Sequence, residues 1–288
     1  MFKKIGLAIA FSPRAEAMLF EAARLKNLIN AELLLIHVGD HGETEEQLLD
    51  SLLEKAGLSR KEISIIWTSG DPAKSILKVC KTERVDLLVA GALRKENLIN
   101  YYLGTVARRI MRKAECSVMM LVNPSSQHRE MKNIVVNAED GPYVNESLKV
   151  ACQLANLSKA NWLHIVREIK MYGLTMSISG QYTDEEQVVL RQSLVKSEIE
   201  NVNQMLCDIP HQDLKINVKV TAGKSGFELA QFARRKHADL LVVSAPPRKY
   251  YFFDRMFTHD QEYLFADLPC DLLMVNPKHL GRKEAQGG

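Results

Sequence analysis

This sequence is short of the features that mark specialised proteins, and each scarcity removes a class. Five cysteines in 288 residues, an odd number with no CxxC spacing, form neither a disulfide framework nor a zinc site; they point to reduced thiols. No apolar run approaches the roughly 20 residues of a membrane-spanning helix. The run Ile5–Phe11 near the start ends at Pro13 and Arg14. It is too short for a secretory signal and lacks a small-residue cleavage site, so it reads as a buried strand. Charge of one sign is lacking too. With 38 basic and 35 acidic residues the formal charge is +3, too balanced for a nucleic-acid groove or a polybasic membrane anchor. There is no HExxH, no GxSxG, no Walker A lysine motif and no carboxylate pair at catalytic helical spacing. The expectation is a cytoplasmic protein that is not an enzyme.

What is present is ordinary globular material in an amount that suits two domains. Hydrophobic residues make up 46% and charged residues 25%, average for a folded soluble chain. The chain then repeats itself. Val85-Asp86-Leu87-Leu88-Val89-Ala90 answers Ala238-Asp239-Leu240-Leu241-Val242-Val243. Ala114-Glu115-Cys116-Ser117-Val118-Met119 answers Leu268-Pro269-Cys270-Asp271-Leu272-Leu273, and Gly70-Asp71-Pro72 answers Gly223-Lys224-Ser225. Earlier, Ile36-His37-Val38 is matched with Leu163-His164-Ile165, which gives the second half about 26 extra residues between its second and third strands.

Each half alternates apolar runs with amphipathic stretches. In the first half the runs are Ile5–Ala10, Leu33–Val38, Ile63–Trp67, Leu87–Gly91 and Val118–Val122. Between them, Met18, Leu19, Ala22 and Leu25 share a helical face, and Val106, Ile110 and Ala114 make another stripe. Near-continuous apolar strands separated by helices predict a parallel sheet covered on both faces. The fold class is therefore α/β: two tandem doubly wound, Rossmann-like domains, each with a mostly parallel five-stranded sheet. The expected divisions are a first domain over 1–123, a linker over 124–132, and a second domain over 133–278. An insertion lies near 168–210, with a helix from Thr183 to Cys207 and a loop over Met171–Gln181, and 279–288 form a flexible tail.

Ligands of such sheets sit beyond the carboxyl ends of the strands. There the first half carries Gly91-Ala92-Leu93-Arg94, nine residues, then Gly104-Thr105-Val106. Glycines permit positive φ and close backbone approach to phosphate oxygens. The following helix start adds unpaired N–H groups, with Thr105 as a cap or hydroxyl donor. This arrangement resembles the universal stress protein family, whose nucleotide-binding members carry G-x-x-G, nine residues, then G-[S/T]. The Gly-Asp-Pro before the third helix and the Cys-Ser-Val-Met-Met-Leu-Val ending resemble it as well. The likeness recurs in both halves, which is the pattern of the tandem class.

The resemblance implies binding of ATP or another adenine nucleotide, with Mg as a companion ion. It carries the site onto Val38, Gly91, Ala92, Arg94, Gly104, Thr105 and Val106. It also implies pairing of the two last strands into an internal pseudo-dimer, higher oligomers being open, and an unidentified protein partner. Two departures stand out. Arg94 occupies a position where the binders have glycine, and Ala10 one where they have an aspartate. In the second half Glu139 takes the aspartate position, while Ser244, Pro247, Phe257 and Thr258 replace the glycine loop, with His259 beside it. A nucleotide-free scaffold docking on a partner such as a transporter is the alternative function, and a weak ATP hydrolase the last.

Other residues read as structure. His37 and His164 are satisfied structural histidines at matching strand ends. Cys116 and Cys270 are small buried hydrophobes. Tyr250 to Phe253 are buried filler. Arg108 and Arg112 lie on a solvated helix face, with an acidic partner as the alternative.

Overall fold

The computed structural model describes residues 1–94, 101–169, 183–211, 213–222, 225–246 and 259–276. The first half runs β1 (Lys4–Ile9), α1 (Ala15–Ile29), β2 (Glu32–Val38), α2 (Glu43–Lys55), β3 (Ile63–Thr68), α3 (Pro72–Thr82), β4 (Leu87–Gly91), β5 (Leu93–Arg94), β6 (Tyr101–Tyr102), α4 (Thr105–Lys113) and β7 (Ser117–Leu121). The second half runs β8 (Asn133–Asn137), α5 (Val144–Ser158), β9 (Trp162–Ile169), α6 (Asp184–Leu206), β10 (Ile216–Ala222), α7 (Ser225–Arg235), β11 (Leu240–Ser244), α8 (His259–Ala266) and β12 (Asp271–Val275). The loop expected over Met171–Gln181, the aromatic run Tyr250–Phe253 and the tail 279–288 lie outside the described residues.

Local chemistry explains where elements start and stop. Asp71 caps α3, its carboxylate accepting from the Lys74 amide at 2.9 Å, and Pro72 fills the first helical position. Thr183 and Glu186 form a reciprocal capping box at the start of α6. Asn30 ends α1 in the left-handed conformation at φ 52°. The repeated Val/Ala-Asp-Leu-Leu motif has a structural purpose in both halves. Asp86 accepts from the amides of Lys3 and Lys4 at 2.8 and 2.9 Å. Asp239 does the same for Lys132 and Asn133, at the same two distances. Each carboxylate fastens the start of a first strand beside the fourth.

All the long strands join one ten-stranded sheet in the order β10-β9-β8-β11-β12-β7-β4-β1-β2-β3. In this sheet every pair within a half is parallel. The halves meet where β12 and β7 run antiparallel, Leu273 opposite Met119. Two bonds flank this seam at matching places: the Val122 amide to Asp271 Oδ1 at 2.8 Å, and the Asn276 amide to Ser117 Oγ at 2.9 Å. The two expected sheets are thus one continuous sheet. Its faces bear separate apolar cores, one under α1, α2, α5 and α6, the other under α3, α4, α7 and α8. Because α1 and α4 leave β1 and β4 toward opposite faces, a crevice opens between those two neighbouring strand ends.

Candidate nucleotide site at the crest of the first half

Gly91 closes β4 at this crevice. A Cβ there would sit in ordinary contact with Met18 Sδ of α1, at 3.4 Å. The next residue, Ala92, is buried; its amide donates to the Leu121 carbonyl at 2.8 Å. Its carbonyl accepts from Arg14 Nη1 at 2.6 Å, and Arg14 Nη2 reaches the Val122 carbonyl at 2.7 Å. Arg14 also lies 5.8 Å from the centre of the Tyr101 ring. This guanidinium, at the N-cap of α1, spans the crest from helix to sheet. Sequence reasoning used Arg14 only as the end of an apolar run. Its signal was its place just ahead of the α1 stripe, at the carboxyl end of the first strand.

The glycine segment is a hairpin. Leu93 pairs with Tyr102 and Arg94 with Tyr101, antiparallel. The Arg94 side chain and residues 95–100 are outside the described part. Gly104 is buried beneath Leu93, whose Cδ1 would lie 2.5 Å from an added Cβ. Neither Gly91 nor Gly104 is among the residues with positive φ, which corrects the left-handed expectation; at Gly104 the absent side chain permits the close approach of Leu93.

Gly104 is the N-cap of α4 and no side chain caps that end. Thr105 is exposed and makes no capping bond, contrary to one of its two expected roles. The first-turn amides of α4 therefore face outward with the positive end of the helix dipole behind them. Val106 is 39% exposed, and the buried face of α4 is Ala107, Ile110 and Met111. Of the stripe expected through Val106, Ile110 and Ala114, the last two are buried, and Ala107 takes the inward place in the first turn instead of Val106. Val38, half-buried at the end of β2, packs on the same face as α3 and α4. Ala10 is exposed and supplies no carboxylate beside the crevice. An unpaired helix start, a threonine hydroxyl and the spare N–H groups of Arg14 fit the phosphates of a nucleotide.

On the opposite face, Phe11, His37 and Trp67 pack together, ring centres 4.6 to 6.0 Å apart, and His41 stacks on Trp67 at 4.4 Å. His37 is buried and its Nδ1–H donates to the Ile9 carbonyl at 3.1 Å. That is the structural histidine expected. The match with His164 fails. Leu33 pairs with Ile5 and Leu163 with Ile134, and those two first-strand residues face equivalent fourth-strand leucines. His37 therefore corresponds to Arg167, three residues beyond His164. Arg167 Nη1 donates to the Ala138 carbonyl at 2.6 Å, the counterpart of the His37 bond. His164 faces the other side, against Phe232, and burial holds its pKa below the usual value.

The second half arranges its crest differently. Ser244, at the Gly91 position, is tied into structure: its hydroxyl donates to the Tyr143 carbonyl at 3.4 Å and lies 2.9 Å from Ser147 Oγ. Glu139 is half-buried after β8. Thr258, Pro247 and Phe257 lie outside the described residues. His259 opens α8, its side chain undescribed. Arg108 and Arg112 are partly exposed, as a solvated face requires, yet they are not without a partner. Both pair with Glu262 of α8, Arg112 at 2.7 Å, so the acidic partner is the second half itself.

The universal stress protein family model matches residues 1–121. That span is the first half, β1 to β7, and the likeness to the universal stress protein family is a likeness of this half. Universal stress protein MJ0577 of Methanocaldococcus jannaschii is 25% identical over 162 residues, 44% of this chain and 98% of that protein. A universal stress protein from Archaeoglobus fulgidus superposes with a TM-score of 0.63 at 13% identity, over 94% of this chain and 97% of that one. The functionally unknown protein PA1789 from Pseudomonas aeruginosa gives a TM-score of 0.69 at 15% identity, over 97% and 95%. The two whole-length likenesses show that the chain shares the fold of both along nearly its entire length. Among its described residues no helix is long and apolar enough to cross a membrane.

Proposed function

We propose that the first half binds an adenine nucleotide, ATP or a smaller relative, and that the protein is a cytoplasmic nucleotide-sensing or adaptor module of the stress response. The observation that carries this reading is the uncapped, outward-facing start of α4 beside Arg14 at the β1–β4 crevice. Phosphate oxygens would accept from the first-turn amides and the Thr105 hydroxyl, with Gly91, Ala92 and Arg94 forming the near wall and Val38 the floor. Leu93, 51% exposed, would swing from Gly104 to admit them. A magnesium ion would accompany a triphosphate. Binding alters the hairpin that touches the second half, and the protein acts through that change rather than through turnover.

The test is direct. Protein purified and denatured should release adenine nucleotide, and calorimetry should show saturable ATP binding that Gly104→Phe abolishes with the fold intact. No release and no heat at near-millimolar ATP would overturn the proposal. The second reading, a nucleotide-free scaffold for a protein partner, draws on the exposed Ala10 and on Leu93 lying over Gly104.

A further inference from the structure

A cavity whose lining includes no residue of α4 lies at the junction of the halves. It holds about 360 Å³ and is walled by Tyr101 and Asn123 of the first half, Arg129 of the connector, and Arg234, Leu268 and Cys270 of the second. That volume suits a small metabolite. Its chemistry is one-sided. Two guanidinium groups line it, and no carboxylate does.

The acids that serve these arginines stand outside the lining. Asp267 is bound by Arg234 Nη2 at 2.8 Å, and the same nitrogen reaches the Asp267 carbonyl at 3.1 Å. Asp271 is 3.8 Å from Arg129 Nη1, which also donates to the Asn123 carbonyl at 3.2 Å. Each contact uses one terminal nitrogen of its fork. Among the described residues the Nε and the other terminal nitrogen of both arginines make no further hydrogen bond. Arg234 is therefore held by Asp267 and Arg129 by the Asn123 carbonyl with Asp271 nearby, each with donors to spare. That is the arrangement a planar fork offers a carboxylate or phosphate. The Tyr101 hydroxyl, 3.1 Å from Asn123 Oδ1, and the apolar surface of Leu268 and Cys270 complete the walls.

We infer that this junction cavity binds a small metabolite carrying a carboxylate or phosphate group between Arg129 and Arg234. The cavity straddles the chain contact that joins the halves. The Leu268 amide donates to the Tyr101 carbonyl at 3.0 Å, and the Tyr101 ring lies beneath Arg14. An occupant would thus touch the second half and the hairpin of the glycine segment together.

Calorimetric titration of the full chain with succinate, and separately with inorganic phosphate, tests this. At least one probe should bind saturably with a millimolar or lower Kd, and the one that does identifies the group. Arg129→Gln and Arg234→Gln should each weaken it tenfold or more. Because Arg234→Gln also removes the partner of Asp267, Ala238→Met provides a second route: it fills the cavity and leaves both forks, and should abolish binding. Gly104→Phe, which blocks the α4 site, should leave saturable binding of the probe in place, so this inference and the nucleotide proposal fail separately. Non-saturating heats with both probes, unchanged affinity in Ala238→Met, or loss of binding in Gly104→Phe would each overturn it.

Discussion

Arg108 and Glu262 hold matching places in the two halves, each the fourth residue of its helix, and they pair with each other. Divergence at one repeated position has turned what would be a like-with-like contact near the pseudo-twofold axis into a charge pair. Arg112 adds a second cation to the same carboxylate. All three side chains are partly exposed, so the attraction is screened and modest. Glu262→Gln should cost about 1 kcal/mol in urea unfolding, less at high salt. Exchanging the pair, Arg108→Glu with Glu262→Arg, should do worse, because Arg112 would then face an arginine.

Asp271 gives the seam a pH dependence. It is fully buried, and burial pushes its carboxyl up to about 6, against the 3.8 of a free aspartate; Arg129 and the Val122 amide pull the other way. The folded state therefore keeps its proton to higher pH than the unfolded chain does. The contribution to stability is greatest below about pH 4, declines as pH rises through 6, and is level above that. The difference amounts to at most about 3 kcal/mol. Asp271→Asn keeps the oxygen that Val122 uses and removes the charge. It should raise stability at pH 8, and the gap from the parent should close as pH falls toward 4 in urea melts.

Arg167 is nearly buried, with Glu198 at 2.7 Å, Asp140 at 2.7 Å and the Ala138 carbonyl as partners. It fastens the long helix α6 to the ends of β8 and β9. Arg167→Ala should cost about 3 kcal/mol, since Glu198 and a carbonyl lose their donor. Arg167→Met, which keeps the bulk, should cost less, and the difference in urea midpoints measures the packing share.

Two glycines should respond differently to alanine. At Gly104 the obstacle is the far end of Leu93, a half-exposed side chain that can move. Gly104→Ala should stay within about 1 kcal/mol of the parent. At Gly6 the obstacles are Val85 and Ile36 at 3.1 to 3.3 Å, both buried in the sheet core. Gly6→Ala should cost about 1–3 kcal/mol by overpacking, read from thermal unfolding.

The strands and helices were legible because their signal is local: apolar runs, helical stripes, and an aspartate, proline or threonine at a helix start. The repeated Asp86 and Asp239 were visible as a repeat, but their bonds to the first strands depend on pairing across the chain. The pairing of His37 with His164 misled because a three-letter likeness outweighed register. Hydrogen-bond register instead puts Arg167, a different residue type, in the same role. Of the site, the glycines and the start of α4 were readable from spacing. Arg14 was not, since what distinguishes it is a reach to Ala92 and Val122, far along the chain. The partner of Arg108 and Arg112 was hidden for the same reason: a helical wheel shows which side a cation takes, not what comes to meet it.

The antiparallel union of β7 with β12 has a consequence for assembly. Strand edges that would otherwise recruit a separate subunit are permanently occupied by the other half of the same polypeptide. Subunit exchange through that seam is closed, and the two unlike halves occur in fixed one-to-one stoichiometry whatever the protein concentration. Each half can then specialise without being diluted by copies of itself, and the charge pair at Arg108 and Glu262, impossible between identical neighbours, records that freedom.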